Sequence, residues 1–95
     1  MTTTFVHDPA AVLDYAIDWS QWLQNGETIT SATWADSVPA GLEQATGKPP
    51  SIDGATTVVW LTGGTAGTLY TVTAHVVTSM GREDDRTFAV RVQER

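Results

Sequence analysis

Residues 12–19 alternate between two kinds of side chain, and this run constrains the fold more than any other feature. Four odd positions are large and apolar, and three even positions are small or acidic: Leu13, Tyr15, Ile17 and Trp19 against Asp14, Ala16 and Asp18. A period of two is typical of a strand with one buried face. A helix of the same sequence would spread both kinds around its cylinder. The run therefore predicts a strand that covers a core with one face and turns its acids to solvent.

The composition favours strands along the whole chain. Sixteen of the 95 residues are threonine, ten are valine and one is lysine. Thr and Val are branched at Cβ, which restricts χ1 and favours pleated sheets over helices. A chain of this length forms one domain with a modest core. Because it has no cysteine, only packing or neighbours in an assembly can stabilise it. We expect a single all-β domain over residues 1–95.

Turn signals separate further strand-like runs about every ten residues. Asn25-Gly26 is a strong turn, and Ile29 and Trp34 anchor the next strand, with a bulge near Ser31-Ala32. Residues 44–55 contain two glycines and two prolines, and we expect a mobile loop there. Residues 1–8 are predicted to be an N-terminal arm or an edge strand. The other predicted strands are an edge piece at 38–42 and longer runs at 56–62, 69–79 and about 85–92.

About seven short strands with this spacing predict an antiparallel β-sandwich of immunoglobulin or fibronectin type III kind. Tyr70 follows a glycine-rich turn at 63–67. That order resembles the corner of such sandwiches in which a tyrosine hydroxyl bonds back to the preceding loop, and we assign this role to Tyr70. We also assign structural roles to Trp19, Trp34 and Trp60.

The charge excludes several classes of partner. Five Lys and Arg against eleven Asp and Glu give a formal charge of −6. Nucleic-acid affinity depends on cations that displace counterions, and anionic membranes also attract basic segments. We therefore expect neither nucleic acid nor membrane as a partner. The N-terminal residues lack both the basic region and the apolar region of a signal peptide. We therefore expect synthesis in a cytoplasm.

Polar residues give no catalytic, metal or cofactor site. His7 and His75 are far apart in sequence, and His75 lies opposite the face of Tyr70, as a solvated or half-buried sheet histidine would. The acids at 83–85 between Arg82 and Arg86 form a cation site, a docking patch or simply a solvated hairpin. Their spacing does not match a calcium loop. We predict no cofactor and no enzymatic activity.

Two apolar side chains lie where a free monomer would leave them exposed. Trp22, three residues after Trp19, lies past the end of its strand, where it either caps the core or stays exposed as a binding group. Met80 lies at the tip of a predicted hairpin at 79–82. Residues 2–6 have β propensity and could add to a neighbour's sheet edge.

The order of these segments resembles a known family. The carrying segments are Asp14-Tyr15-Ala16-Ile17-Asp18-Trp19-Ser20-Gln21-Trp22-Leu23, Glu27-Thr28-Ile29, Trp34, Val38-Pro39-Ala40-Gly41-Leu42, Val59-Trp60-Leu61-Thr62-Gly63-Gly64-Thr65-Ala66-Gly67, Tyr70, Thr78-Ser79-Met80-Gly81-Arg82, Asp85-Arg86 and Val90-Arg91-Val92. Together they resemble small tailed-phage virion proteins described as fibre–tail adaptors or small phage tail proteins. The similarity runs from about Asp8 to Arg95 and is weakest at residues 43–50. It implies an immunoglobulin-like sandwich with a structural role in the particle and no enzymatic activity.

These observations lead to a functional hypothesis. We expect a virion component, assembled in the bacterial cytoplasm, that links other phage structural proteins, with tail or fibre attachment favoured. We expect a homo-oligomer or a symmetric multicopy assembly whose interface includes Thr3, Thr4, Phe5, Trp22, Met80 and Arg82. The alternatives are a capsid or neck decoration protein and a carbohydrate- or host-surface-binding module that uses exposed Trp22 or Trp60.

Overall fold

The computed structural model describes residues 4–94, which form eight strands and no helix. This part of the chain accordingly has no helix that could cross a bilayer. The strands are β1 (Thr4–His7), β2 (Val12–Asp18), β3 (Ile29–Trp34), β4 (Leu42–Gln44), β5 (Ser51–Asp53), β6 (Thr56–Gly63), β7 (Leu69–Thr78) and β8 (Glu83–Val92). The all-β prediction is confirmed.

The strands form two sheets. The first has the order β1-β8-β7-β3, and the second has β2-β6-β4 with β5 also paired to β6. Each pairing between these strands is antiparallel except that of β1 with β8, which is parallel. The sequence pattern did not predict this pairing. Two parallel strands must be joined by a long crossover connection, and here that connection is the whole chain between β1 and β8. The immunoglobulin or fibronectin type III topology stays a prediction.

The core lies between the two sheets, as expected of a β-sandwich. The first sheet contributes alternate residues of β7 and β8, and the second contributes the inner face of β2 and β6. The fully or nearly fully buried side chains include Trp19, Val59, Leu61, Tyr70, Val72, Ala74, Val76, Phe88, Val90 and Val92. Trp19 and Trp34, to which the sequence analysis assigns structural roles, belong to this core. Trp60 lies outside it, on the half-exposed outer face of β6.

The predicted strand at residues 12–19 is present, with one difference at its start. Tyr15 and Trp19 are buried and Ile17 packs on the core. Leu13 shares their face but is 43% exposed, because it lies near the beginning of an edge strand, where little of the facing sheet covers it. The assignment of Leu13 to the core is therefore wrong.

The Tyr70 corner is present. The Tyr70 hydroxyl accepts a hydrogen bond from the Thr65 amide at 2.8 Å, as predicted. The same corner explains Gly64, which has a φ of +91°, and whose missing Cβ would lie 2.7 Å from a methyl group of Val92. Any larger residue at position 64 would therefore push against the Val92 side chain at the end of β8.

The other predicted irregularities fall close to their observed positions. The register of β3 against β7 shifts between Ile29 and Ser31, so the bulge lies next to its predicted site. The extended piece at 38–42 is reduced to a bridge between Val38 and Thr71, after which β4 starts at Leu42. The structure also places the short strand β5 inside residues 44–55. The mobility predicted for that segment stays a prediction.

Candidate interaction surfaces

The N-terminal residues of the predicted interface lie on or before β1. Thr3 lies outside the described residues. Thr4 is exposed, and Phe5 is partly buried, with its ring 5.1 Å from that of Tyr15 and 5.5 Å from that of Phe88. β1 pairs along its length with β8 of the same chain. Thr4 therefore remains available at the sheet edge, whereas Phe5 packs on its own core.

Trp22 covers one end of the core. Its ring lies 5.4 Å from that of Trp19 in an edge-to-face arrangement. The guanidinium of Arg82 lies 4.3 Å from the centre of the Trp22 ring, a cation–π distance. Of the two roles open from the sequence, the structure favours the cap.

Arg82 is held inside its own chain. Its Nη2 bonds to Glu27 Oε1 and donates to the Trp22 carbonyl at 3.0 Å, and its Nε donates to Glu27 Oε2 at 2.9 Å. Glu27 is buried and also accepts bonds from the Gln24 amide at 2.9 Å and the Thr78 hydroxyl at 2.5 Å. These donors, Arg82 first, lower the pKa of Glu27 to about 2. The pair fastens the turn after Trp22 to the hairpin that carries Met80.

Sequence reasoning missed Glu27. It lies in the turn region two residues before β3, which begins at Ile29. A single acid directly after an Asn-Gly turn carries no pattern that marks it as buried. Its partner Arg82 lies 55 positions away, so their contact depends on the pairing of β3 with β7.

Met80 is the clearest exposed apolar group at this end of the molecule. It is 53% exposed at the hairpin tip, next to the fastened Arg82. We name the surface around Met80, Arg82 and Trp22 the hairpin end.

His75 lies on the outer face of the first sheet, where the sequence placed it. Its Nδ1 is 2.5 Å from Asp85 Oδ1 and its Nε2 is 2.9 Å from Glu83 Oε1, so it joins β7 to β8. The bond to Asp85 and then the bond to Glu83 raise the pKa of His75. Within residues 4–94 no group of three or more His, Asp or Glu side chains is arranged to hold a metal ion.

His7 is in the opposite situation. It is fully buried, and its Nδ1 lies 2.7 Å from the Tyr15 hydroxyl. Its Nε2 has no hydrogen-bond partner among the described residues. Burial lowers the pKa of His7 and so favours its neutral form, and the bond to Tyr15 holds β1 against β2.

A cleft opens at the far side of the sandwich, between the ends of β3 and β4. It has a volume of about 350 Å³ and is lined by Trp34, Leu42, Val59, Leu61 and Val72 at its apolar part, with Asp36 and Glu43 also on its wall. The indole Nε1 of Trp34 is buried without a partner in the described structure. Sequence reasoning identified Trp34 as structural and did not predict the cleft.

The family model of the podophage GP4 fiber-tail adaptor protein gp77 matches residues 7–91. The chain belongs to this family. The family is described as a fiber-tail adaptor of podophages, and this supports a structural role as a component of the virion. No curated protein matches the chain.

Proposed function

We propose that this gp77-family chain is a structural connector between the tail and the fibres of a podophage, assembled in the bacterial cytoplasm. The observation that carries the proposal is the family match over residues 7–91. The structure supports it with a small domain of two packed sheets that offers several surfaces for contact: the edge of β1, the hairpin end and the cleft. A connector must hold two proteins at once, and separate surfaces on one domain allow that.

The experiment that tests this function uses the phage that encodes the chain. We expect particles made without this protein to lack fibres, and the protein supplied from a plasmid to restore them, as seen by electron microscopy. Antibody-bound gold should mark the base of the fibres on wild-type particles. Fully fibred particles without the protein would overturn the proposal, and gold on the capsid or neck would favour a decoration protein.

We further propose that the protein works in several copies around the tail axis. Exposed Thr4 on the β1 edge and Met80 at the hairpin end would take part in contacts between subunits, because an edge strand and an exposed apolar group are both covered in assemblies. Light scattering of the purified protein at two concentrations tests this. A defined oligomer that Met80→Ser converts to monomer supports the proposal. A wild-type mass that stays monomeric at both concentrations means that a partner imposes the symmetry.

The two tryptophans on which a sugar could stack already have cations over their rings. The Trp22 ring faces Arg82, and the Trp60 ring has the Lys48 amine 4.5 Å from its centre. A sugar would have to displace these cations to stack on the rings. No specific observation favours that function over the adaptor.

A further inference from the structure

The cleft between β3 and β4 is a preformed feature of the fold. The segment before β4 is fixed to the first sheet, because the Ala35 amide donates to the Thr73 carbonyl at 2.9 Å and Val38 exchanges two backbone bonds with Thr71. The Ser37 hydroxyl is fixed to Leu42, since it donates to the Leu42 carbonyl at 2.9 Å and accepts from its amide at 3.2 Å. The mouth of the cleft therefore keeps its shape when empty.

Backbone groups at the cleft point away from their own sheets. Backbone bonds of a strand alternate between its two sides. Because the Ala35 amide bonds to β7, the amide and carbonyl of Trp34 face the free edge of β3. The Ala45 amide bonds to the Trp60 carbonyl on β6, so the backbone groups of Gln44 likewise face the free edge of β4. An extended chain that enters between these edges can pair with them.

The indole N–H of Trp34 is a hydrogen-bond donor that has no acceptor within the described residues. The residue is 8% exposed and lines the cleft, while its Nε1 is shielded and unpaired within the described structure. Native proteins leave few buried donors unpaired, and such exceptions call for an explanation. A carbonyl oxygen that follows an apolar side chain into the cleft would complete this bond after a small shift of the indole.

The wall of the cleft carries negative charge. Asp36 and Glu43 line it and are exposed, and the lining residues include no Lys or Arg. The chain as a whole has a formal charge of −6, so a second copy would meet like charge here. The complementary occupant is basic at the wall and apolar at the base.

We propose that the cleft receives an extended segment of another virion protein, with an apolar side chain among Trp34, Leu42 and Val59 and a neighbouring Lys or Arg between Asp36 and Glu43. This rests on the proposed connector function and names one of its docking surfaces. The segment binds by strand pairing at the free edges, its side chains giving specificity and its backbone accepting the bond from Trp34.

The test measures binding of the purified protein to fibreless particles from phage that lack it. The variant Asp36→Lys/Glu43→Lys reverses both wall charges, and Asp14→Lys/Asp53→Lys makes the same change in net charge at exposed acids outside the cleft. We expect the cleft variant to bind the particles at least about tenfold more weakly than the wild type. The control variant should bind like the wild type. Circular dichroism and thermal unfolding establish that both variants are folded.

The outcomes separate the two proposals. If the wild-type protein does not bind the particles, the connector function fails and the cleft proposal falls with it. If the wild type binds and the cleft variant binds equally well, the cleft proposal alone is overturned. Equal weakening of both variants would show a general charge effect and would also overturn it. A wild-type dimer that the cleft variant abolishes would make a second copy the occupant, against the proposal.

A second measurement examines the occupant directly. The chain has no cysteine, so Gln44→Cys places one attachment point for a photocrosslinker at the edge of the cleft, and Thr87→Cys places a control on the outer face of the first sheet. We expect Gln44→Cys on particles to crosslink to a virion peptide with an apolar residue beside Lys or Arg. A crosslink to an acidic peptide, or equal crosslinking from position 87, would overturn the proposal.

Trp34→Phe tests the donor. This change removes the N–H together with the five-membered ring of the indole, so we expect weaker binding to the particles and, because Trp34 belongs to the core, a lower melting temperature of the free protein. Trp19→Phe is the matched control, because it makes the same truncation in the core at an indole whose Nε1 already donates to the Thr57 hydroxyl at 3.0 Å; it should also lower stability but leave binding to the particles unchanged. If Trp34→Phe binds the particles as well as the wild type does, the Trp34 N–H donates no hydrogen bond to the bound segment.

Discussion

At the scale of single residues, stability depends on a few buried polar groups whose partners lie far away in sequence. Glu27 is the strongest case, since its carboxylate accepts bonds from Arg82, Thr78 and the Gln24 amide. A buried carboxylate that loses its charge leaves Arg82 without a counter-charge. We expect Glu27→Gln to lower the melting temperature by more than about 5 °C. The measurement is thermal unfolding followed by circular dichroism.

Asp14→Asn is the matched control for Glu27→Gln. It makes the same chemical change at an exposed acid on the outer side of β2, so its melting temperature should stay within about 1–2 °C of the wild type. Equal melting temperatures for the two variants would show that the Glu27–Arg82 pair does not fasten the turn to the hairpin.

The bond between Trp19 and Thr57 gives a second residue-scale prediction. Both residues are fully buried, and the Thr57 hydroxyl is the acceptor for the Trp19 indole. Thr57→Val keeps the shape and leaves that donor unpaired, so we expect a loss of about 1–3 kcal/mol in the free energy of unfolding. The control is Thr73→Val, which removes an exposed bond to Thr87 and should cost less than about 0.5 kcal/mol. Urea unfolding at constant pH distinguishes them.

At the scale of strands, alternation predicted most of the elements but not how each end is covered. Leu13 and Leu61 show the difference, because they are register partners on one face of β2 and β6. Leu61 is 2% exposed, whereas Leu13 is 43% exposed. Period-two patterning places Leu13 on the inner face of β2, but it does not show how far the facing sheet covers the start of this edge strand.

The same pair gives a prediction at this scale. Leu61→Ala should lower the free energy of unfolding by about 2–5 kcal/mol, as core Leu→Ala changes do. Leu13→Ala should cost less than about 1 kcal/mol, because its side chain is largely in contact with solvent already. Denaturant unfolding of the two variants provides the comparison. Similar losses would mean that Leu13 is covered in solution, as by a neighbouring subunit.

Features that need long-range pairing could not be predicted from the pattern. The parallel pairing of β1 with β8 joins the two ends of the described chain, and the contact between Glu27 and Arg82 depends on the pairing of β3 with β7. The cleft lies between β3 and β4, which are end strands of the two different sheets. The sequence did show the breaker-rich stretch beside it, Val38-Pro39-Ala40-Gly41, but a breaker predicts an edge rather than a cavity.

At the scale of the whole molecule, three groups make stability depend on pH in different directions. Below its ordinary pKa of 6.5 the unfolded His7 takes up a proton that the folded, buried ring resists, although nearby Asp8 opposes the shift. The stability that the neutral His7 ring contributes is therefore lost as pH falls below 6.5. The stability due to Glu27 is present above 4.5 and is lost as pH falls toward about 2. His75, whose pKa is raised, contributes below 6.5 and loses that contribution as pH rises through its folded pKa.

The balance among these groups can be measured from urea unfolding at about pH 8, 5 and 3. His75 is 41% exposed, so solvent screens its ion pairs and its contribution is small. We therefore expect the wild type to lose stability from pH 8 to 5 through His7, and further from 5 to 3 through Glu27. His7→Gln should flatten the first step and keep the second, whereas His75→Gln should leave both steps and slightly steepen the first. If His7→Gln kept the full loss between pH 8 and 5, burial of a neutral imidazole between β1 and β2 would not be its source.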